Sequence, residues 1–132
     1  MVFVDTGAWF SLYVPTDPNH VRAVEWMQEN DQPLVTSDYV VDETLTLLCV
    51  RREPRRAMEV GRLLLESGLI QVHHIAPDEF HRAWILFQRM HAAGWSFTDC
   101  TSKIILDGLA VRTAFAFDDH FRQFGTVEVV PR

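Results

Sequence analysis

Short runs of apolar, β-branched residues alternate along this chain with longer segments in which apolar residues recur every three or four positions. The short runs predict five strands, at residues 2–4, 33–36, 69–73, 111–117 and 127–130. Strands that alternate with helical segments are typical of a parallel sheet covered by helices. The pattern therefore predicts an α/β fold around a central, mainly parallel, five-stranded sheet.

The helical segments are marked off by capping residues, prolines and glycines. They are expected over residues 8–13, 17–28, 37–52, 54–66, 77–91, 96–109 and, as one short turn, 119–124. Asp17 is expected to cap the second helix with Pro18 in its first turn, and Ser37 to cap the third. Ser96 and Asp99 match a capping box, S-x-x-D, at the start of the sixth.

Length and composition fit one globular domain over residues 1–132, of which 48% are hydrophobic and 23% charged. Cys49 and Cys100 have neither disulfide-framework nor metal-site spacing, which fits a reducing cytoplasm. We expect no secretory signal and no membrane span, because the apolar runs fall far short of the ~20 residues that cross a bilayer. The net charge of −6 disfavours broad contact with nucleic acid unless the acids converge on bound cations.

The triplet Asp5-Thr6-Gly7 is also found in aspartic proteases. Those of the short, dimeric type are all-β and rich in glycine turns, whereas this chain is mostly helical by pattern and has six glycines. The triplet alone therefore does not indicate a protease.

Carboxylates stand where a parallel sheet builds its sites. Asp5 directly follows the first predicted strand, and Asp118, with Asp119 beside it, directly follows the fourth. Ligands of open α/β sheets bind at the carboxyl ends of strands, and these two strands are neighbours if the strand order reverses between them. Each residue taken singly could equally serve a turn or a cap.

Two further acids lie on predicted helices. Glu43 shares a helical stripe with Val40, Leu47 and Val50, where a charged carboxylate is costly unless it is paired or bound to a metal. The alternative is that Glu43 lies at the edge of the stripe and reaches towards an arginine. Asp99 either serves the capping box alone or also faces the cleft.

Several carboxylates in one pocket repel one another, and at least one would take up a proton. A divalent cation removes this repulsion. Oxygen ligands without a cysteine partner suit Mg²⁺ or Mn²⁺ better than zinc. Such ions act on phosphates, because they contact phosphoryl oxygens and activate a water.

Five sequence segments, in this order, resemble the PIN domain, and most closely the VapC-like toxin ribonucleases of bacterial and archaeal toxin–antitoxin pairs. They are "FVDTGAWF" at the start, the Asp17, His20 and Ala23 spacing, "VVDET" around Glu43, "WSFTDC" around Asp99 and "AFAFDDHF" near the end. The resemblance covers nearly the whole chain. It implies a three-layer α/β/α sandwich and a cluster of acids that binds Mg²⁺ or Mn²⁺.

The resemblance assigns roles residue by residue. Asp5, Glu43, Asp99 and Asp118 match the first to fourth acids of the family, and Thr6 matches a hydroxyl position beside the first. The match implies metal-dependent hydrolysis of RNA phosphodiester bonds, a homodimer and a small antitoxin protein as inhibitor. Ala116 departs from the family, which often has Thr or Ser two residues before the fourth acid. Asp119 adjoins Asp118, so either one could face the metal.

Basic side chains are less informative. Four arginines near Pro54 are candidates for contact with RNA phosphates, although a solvated corner between two helices is favoured: Arg51, Arg52, Arg55 and Arg56. For His120, beside the acid pair, a surface or capping role is favoured over contact with substrate.

Two alternatives to a nuclease remain at this stage. A PIN-like module that binds RNA or protein without cleaving is disfavoured by the complete set of four acids. A phosphotransfer receiver domain has a similar length and order, but it needs an aspartate at the end of its third strand and a lysine at the end of its fifth. Here the third strand ends in His73-His74-Ile75, and the only lysine, Lys103, lies in a predicted helix.

Overall fold

The computed structural model describes the whole chain, Met1–Arg132, and contains every predicted strand and helix. The strands are β1 (Val2–Val4), β2 (Leu34–Ser37), β3 (Gln71–His73), β4 (Thr113–Phe115) and β5 (Glu128–Val130). A 3-10 turn follows the fifth helix, and the helices are α1 (Thr6–Tyr13), α2 (His20–Glu29), α3 (Asp38–Val50), α4 (Pro54–Leu65), α5 (Pro77–Met90), α6 (Phe97–Leu109) and α7 (His120–Gln123). None of these helices is both long and apolar enough to cross a membrane.

The sheet is parallel throughout, with the strand order β3-β2-β1-β4-β5. β1 is central, and Phe3 lies opposite Val35 of β2 and Ala114 of β4. The expectation that the first and fourth strands are neighbours is thus confirmed. The amide of Asp5 donates to the carbonyl of Phe115 at 3.0 Å, so that β1 and β4 end side by side. All five carboxyl ends therefore lie at one edge of the sheet.

The central strand is buried on both of its faces. Val2, Phe3 and Val4 are part of a core of 28 buried apolar residues, which also includes Trp9 of α1 and Leu106 of α6. A strand buried on both faces requires helices on both sides of the sheet. The architecture is the expected three-layer α/β/α sandwich.

The second helix begins later than predicted. It starts at His20, and the side chain of Asp17 does not cap it. The Asp17 carboxylate instead accepts hydrogen bonds from the Asn19 amide at 2.9 Å and the Ser11 hydroxyl at 2.8 Å. Asp17 thus closes a local turn that contains Pro18 and ties it to α1, which is a frequent alternative use of an aspartate near a helix.

The fourth strand is shorter than the predicted 111–117. Val111 belongs to the end of α6, because its amide donates to the Leu106 carbonyl at 3.0 Å, after Ala110 has turned left-handed. The strand ends at Phe115 because its partner β1 ends opposite that residue. The apolar run in the sequence is therefore longer than the segment that pairs in the sheet.

The third helix has the predicted cap but a shorter end. The Ser37 hydroxyl accepts a hydrogen bond from the Val40 amide at 3.1 Å, which confirms the cap. The helix ends at Val50 rather than near Arg52, since Arg52 has a φ of 61° and cannot continue a right-handed helix.

Candidate active site

The first predicted site residue, Asp5, directly follows β1 at the carboxyl edge of the sheet. Its side chain is 4% exposed. Burial raises the pKa of the Asp5 carboxyl to about 8, because a charged carboxylate is poorly solvated there, and the nearby Thr6 amide offsets only part of this. In the absence of a cation, Asp5 is therefore protonated at neutral pH.

The other three predicted acids also act on Asp5. After burial, the negative charges of Asp99, Glu43 and Asp118 raise the pKa of Asp5 further. Glu43 comes from the second turn of α3, Asp99 from the first turn of α6, and Asp118 from the loop after β4. The structure thus brings the four acids together at one edge of the sheet from four separate segments.

Asp99 serves the helix cap and faces the acids at the same time. The Ser96 hydroxyl accepts from the Asp99 amide at 3.0 Å, and Oδ2 of Asp99 accepts from the Ser96 amide at 2.9 Å. The predicted capping box is therefore confirmed. It fixes the rotamer of a side chain that is only 8% exposed. The two roles left open by the sequence are compatible.

Glu43 is half-buried at the wall of a groove that continues between α3 and the start of α6. The groove is also lined by Asp42, Thr46, Leu47, Val50 and Thr98. None of the ion pairs in the structure includes Glu43, so the alternative of an arginine partner is wrong. An open groove beside the acids leaves room for an extended ligand.

Of the two adjacent aspartates after β4, Asp118 lies beside the other acids. The Asp118 side chain is 42% exposed, and its Oδ1 lies 3.1 Å from Nδ1 of His120. The Asp119 side chain is 88% exposed and lies 3.6 Å from Arg122. Asp118 therefore forms the outer rim of the acid cluster, whereas Asp119 extends into solvent.

For His120 the sequence favoured a surface or capping role, and the structure instead brings its ring to the acids. Its Nδ1 lies 2.9 Å from Oδ2 of Asp99 and 3.1 Å from Oδ1 of Asp118, so it joins two of the acids. These three side chains form a group able to hold a metal ion, with one ligand atom from each lying within 4.8 Å of the others. The spacing in the sequence gives only the local contact with Asp118, two residues earlier, whose carboxylate accepts from the His120 amide at 2.9 Å.

The donors at this edge fit a hard divalent cation. They are mainly carboxylate oxygens, and the buried hydroxyl of Thr6, next to Asp5, has no hydrogen-bond partner. A cation would offset both the burial and the carboxylate repulsion that raise the pKa of Asp5. Ala116 stands where the family often has Thr or Ser. It is 1% exposed and packs in the core, an environment that suits its apolar side chain.

The arginine cluster lies away from the acids. It follows the carboxyl end of α3, and Arg51 is eight residues beyond Glu43, about 12 Å along the helix. Arg56 donates to the Glu53 carboxylate at 2.9 Å and to the Tyr13 carbonyl at 2.8 Å, so it holds a helix corner together. The structure does not bring these arginines to the acid cluster.

Comparison with known proteins gives full-length matches. The PIN domain family model matches residues 2–125. The 23S rRNA-specific endonuclease VapC20 of Mycobacterium tuberculosis is 34% identical over 131 residues, which cover 99% of each chain. A VapC ribonuclease of Archaeoglobus fulgidus is 28% identical over 89% of this chain and 77% of the other.

A solved structure shows the same fold. The crystal structure of VapC20 from Mycobacterium tuberculosis, described as a sarcin-ricin loop cleaving toxin, superposes with a TM-score of 0.91 at 32% sequence identity and covers 98% of both chains. Sequence and fold thus agree over nearly the whole length, and the chain belongs to the PIN domain family.

Proposed function

We propose that this protein is a metal-dependent endoribonuclease, and the toxin of a toxin–antitoxin pair. The observation that carries the proposal is the convergence of four carboxylates on one edge of the sheet, where burial and their charges raise the pKa of Asp5 to about 8. Proteins similar over most of this chain are named as ribonucleases. A module that only binds RNA or protein, the alternative, would have no use for so costly an arrangement.

Asp5, Glu43, Asp99 and Asp118 would hold the cation. Their oxygens suit Mg²⁺ or Mn²⁺, which bind hard ligands in octahedral geometry. When bound, such an ion supplies a water of lowered pKa as the nucleophile and neutralises charge on the phosphoryl oxygens. Asp5 is the deepest donor and must release its proton, while the half-exposed Asp118 closes the rim directly or through a water.

The substrate we propose is RNA with a folded loop. VapC20 of Mycobacterium tuberculosis is named as specific for 23S rRNA and as cleaving the sarcin-ricin loop, so these are the first RNAs to test. The groove between α3 and α6 begins at Glu43 and gives the RNA strand a path to the acids.

The test is incubation of the purified protein with a panel of structured RNAs, including a sarcin-ricin loop oligonucleotide, in Mg²⁺, Mn²⁺ or EDTA. We expect cleavage that EDTA abolishes. Asp5→Asn and Asp99→Asn should each lower the rate about 100-fold or more, since loss of even an outer-shell partner costs 10–100-fold. Asp119→Asn, which removes the same charge from solvent beside the site, is the matched control.

Two results would contradict the proposal. If the wild type binds RNA but cleaves none under any metal condition, the binding-only alternative is favoured. If Asp5→Asn or Asp99→Asn keeps full metal-dependent cleavage, the assigned site is wrong.

We further propose that the protein forms a homodimer. Three large apolar side chains of α5 are each 46% exposed: Phe80, Trp84 and Ile85. Aromatic side chains are enriched in the centres of protein interfaces, and a second copy of the chain would cover this face. Light scattering should give a dimer for the wild type and a monomer for Trp84→Lys. Met58→Lys, on an exposed position of α4, should leave the dimer intact.

The remaining parts of the proposal are a small antitoxin protein as inhibitor, a cytoplasmic location and a single domain over residues 1–132. Both cysteines are free, and Cys49 is exposed, which fits a reducing compartment. We expect a short reading frame immediately upstream of the gene to encode the antitoxin, and co-expression with it should yield a complex in which cleavage is suppressed. A freely active nuclease after co-expression would count against that partner.

A further inference from the structure

We propose that His120 is a positioning residue of the metal centre. Its ring N–H at Nδ1 holds one oxygen of Asp99 and one oxygen of Asp118, and this leaves the second oxygen of each carboxylate to the cation. The inference rests on the proposed function, because it requires that these acids bind a metal.

The hydrogen bonds of the two carboxylates all end on one oxygen of each. Oδ2 of Asp99 accepts from the Ser96 amide at 2.9 Å and lies 2.9 Å from Nδ1 of His120. Oδ1 of Asp118 accepts from the His120 amide at 2.9 Å and lies 3.1 Å from Nδ1. Oδ1 of Asp99 and Oδ2 of Asp118 take part in none of these bonds. The protein thus presents one free oxygen from each acid.

The imidazole ring is held so that it can fix this arrangement. It is 24% exposed, and its other nitrogen, Nε2, lies against Gly94. A β-carbon added to this glycine would be 3.5 Å from Nε2. The next residue, Phe121, is fully buried and packs its ring 6.3 Å from that of Phe3 and 4.7 Å from that of Phe124. The core therefore anchors α7, and with it the position of the His120 ring.

The two carboxylates need such a link because they come from different segments. Asp99 belongs to α6, whereas Asp118 lies in the loop after β4 and is 42% exposed. Without a donor between them, their charges favour separation and rotation of the exposed side chain. Outer-shell donors that orient metal-binding carboxylates typically contribute 10–100-fold to metal affinity. His120 therefore acts on the cation through Asp99 and Asp118.

The experiment is titration of Mn²⁺ into the metal-free full chain, with free Mn²⁺ measured by electron paramagnetic resonance. His120→Ala should weaken binding about 10–100-fold. His120→Asn places an amide N–H close to the position of Nδ1 and should bind close to the wild type. His120→Gln carries the same amide one methylene farther out and should bind as weakly as the alanine variant. This pair decides the question even if His120→Ala fails to fold.

The chain offers a matched control in His73. Its Nε2 lies 2.9 Å from the Glu79 carboxylate, and its side chain is also 24% exposed, but this pair joins the end of the edge strand β3 to the first turn of α5. His73→Ala should leave Mn²⁺ affinity unchanged. A loss equal to that of His120→Ala would mean that removal of any histidine–carboxylate pair acts through general destabilisation, and would overturn the inference.

Pulsed electron paramagnetic resonance on the Mn²⁺-loaded wild type separates positioning from ligation. We expect no directly coordinated ¹⁴N signal, because Nδ1 carries a proton towards the carboxylates. Coordinated ¹⁴N that disappears in His120→Asn would make His120 a ligand, and unchanged affinity in His120→Ala would remove any role; both overturn the inference. If the wild type binds no Mn²⁺, or if Asp5→Asn binds it equally well, the proposed metal centre itself fails.

Discussion

A negative charge on Asp5 should lower the free energy of unfolding of the metal-free protein. Asp5→Asn should remove this destabilisation, by an amount that depends on the pH. The folded state holds a proton on Asp5 up to about pH 8, whereas the unfolded chain loses it near the usual aspartate pKa of 3.8. Between these values the folded state binds more protons, so the free energy of unfolding falls as the pH rises. Below about pH 4 both states are protonated and the penalty vanishes.

The size of the effect follows from the two pKa values. At 1.36 kcal/mol per pKa unit, the interval from 3.8 to about 8 corresponds to about 6 kcal/mol, of which about 4 kcal/mol develops between pH 5 and pH 8. Asparagine has nearly the same shape and cannot ionise. The stability of Asp5→Asn should therefore exceed that of the wild type by an amount that grows over this range.

Urea unfolding in EDTA at several pH values between 5 and 8 measures the effect. Tryptophan fluorescence reports it, because Trp9 and Trp95 are buried. The difference between the wild type and Asp5→Asn should widen by several kcal/mol and level off above pH 8. Asp119→Asn controls for the loss of one charge at this edge of the sheet. Parallel curves for the wild type and Asp5→Asn would refute the reasoning.

Three other outcomes are expected. Binding of Mg²⁺ or Mn²⁺ at pH 7 should release about one proton, because Asp5 must ionise before it can coordinate the cation. Calorimetry in buffers of different ionisation enthalpy counts the protons released. Zero release would contradict the raised pKa of Asp5. Ser96→Ala should cost about 1 kcal/mol in urea unfolding and also weaken metal binding, since it removes half of the capping box that orients Asp99; Ser96→Thr should restore both. Phe121→Ala should cost about 3–5 kcal/mol, because it empties a fully buried position beside Phe3; a loss below about 1 kcal/mol would mean that α7 is not anchored by that ring.

Much of the site followed from the sequence because each acid stands at a position that general rules single out. Asp5 directly follows β1 and Asp118 lies in the loop after β4, and the carboxyl ends of parallel strands share an edge. Glu43 interrupts an apolar stripe, and Asp99 sits in a capping box. These rules need only the local sequence and a parallel sheet. The parallel sheet can itself be predicted from the alternation of apolar runs and helical segments.

The rest depended on contacts that no local pattern encodes. The role of His120 arises from a ring that reaches from α7 to α6, and only the packing of the two elements brings Nδ1 to 2.9 Å from Asp99. Asp17 was predicted to cap the second helix, but its contact with Ser11 of α1, which no local pattern encodes, holds it in a turn instead. The arginines near Pro54 are adjacent in sequence, but the length of α3 separates them from the acids.

The hydrogen bond between the Asp5 amide and the Phe115 carbonyl joins the first strand of the chain to a strand that is translated more than 100 residues later. Translation delivers Asp5, Glu43 and Asp99 first, but the strand that flanks β1, and the loop after it that carries Asp118, come only with residues 113–118. A ribosome-bound chain that ends before this point has an unpaired edge on β1 and an incomplete set of acids. Residues 113–118 thus supply both the strand that pairs with the second edge of β1 and the fourth acid, and β5 then extends the sheet beyond β4.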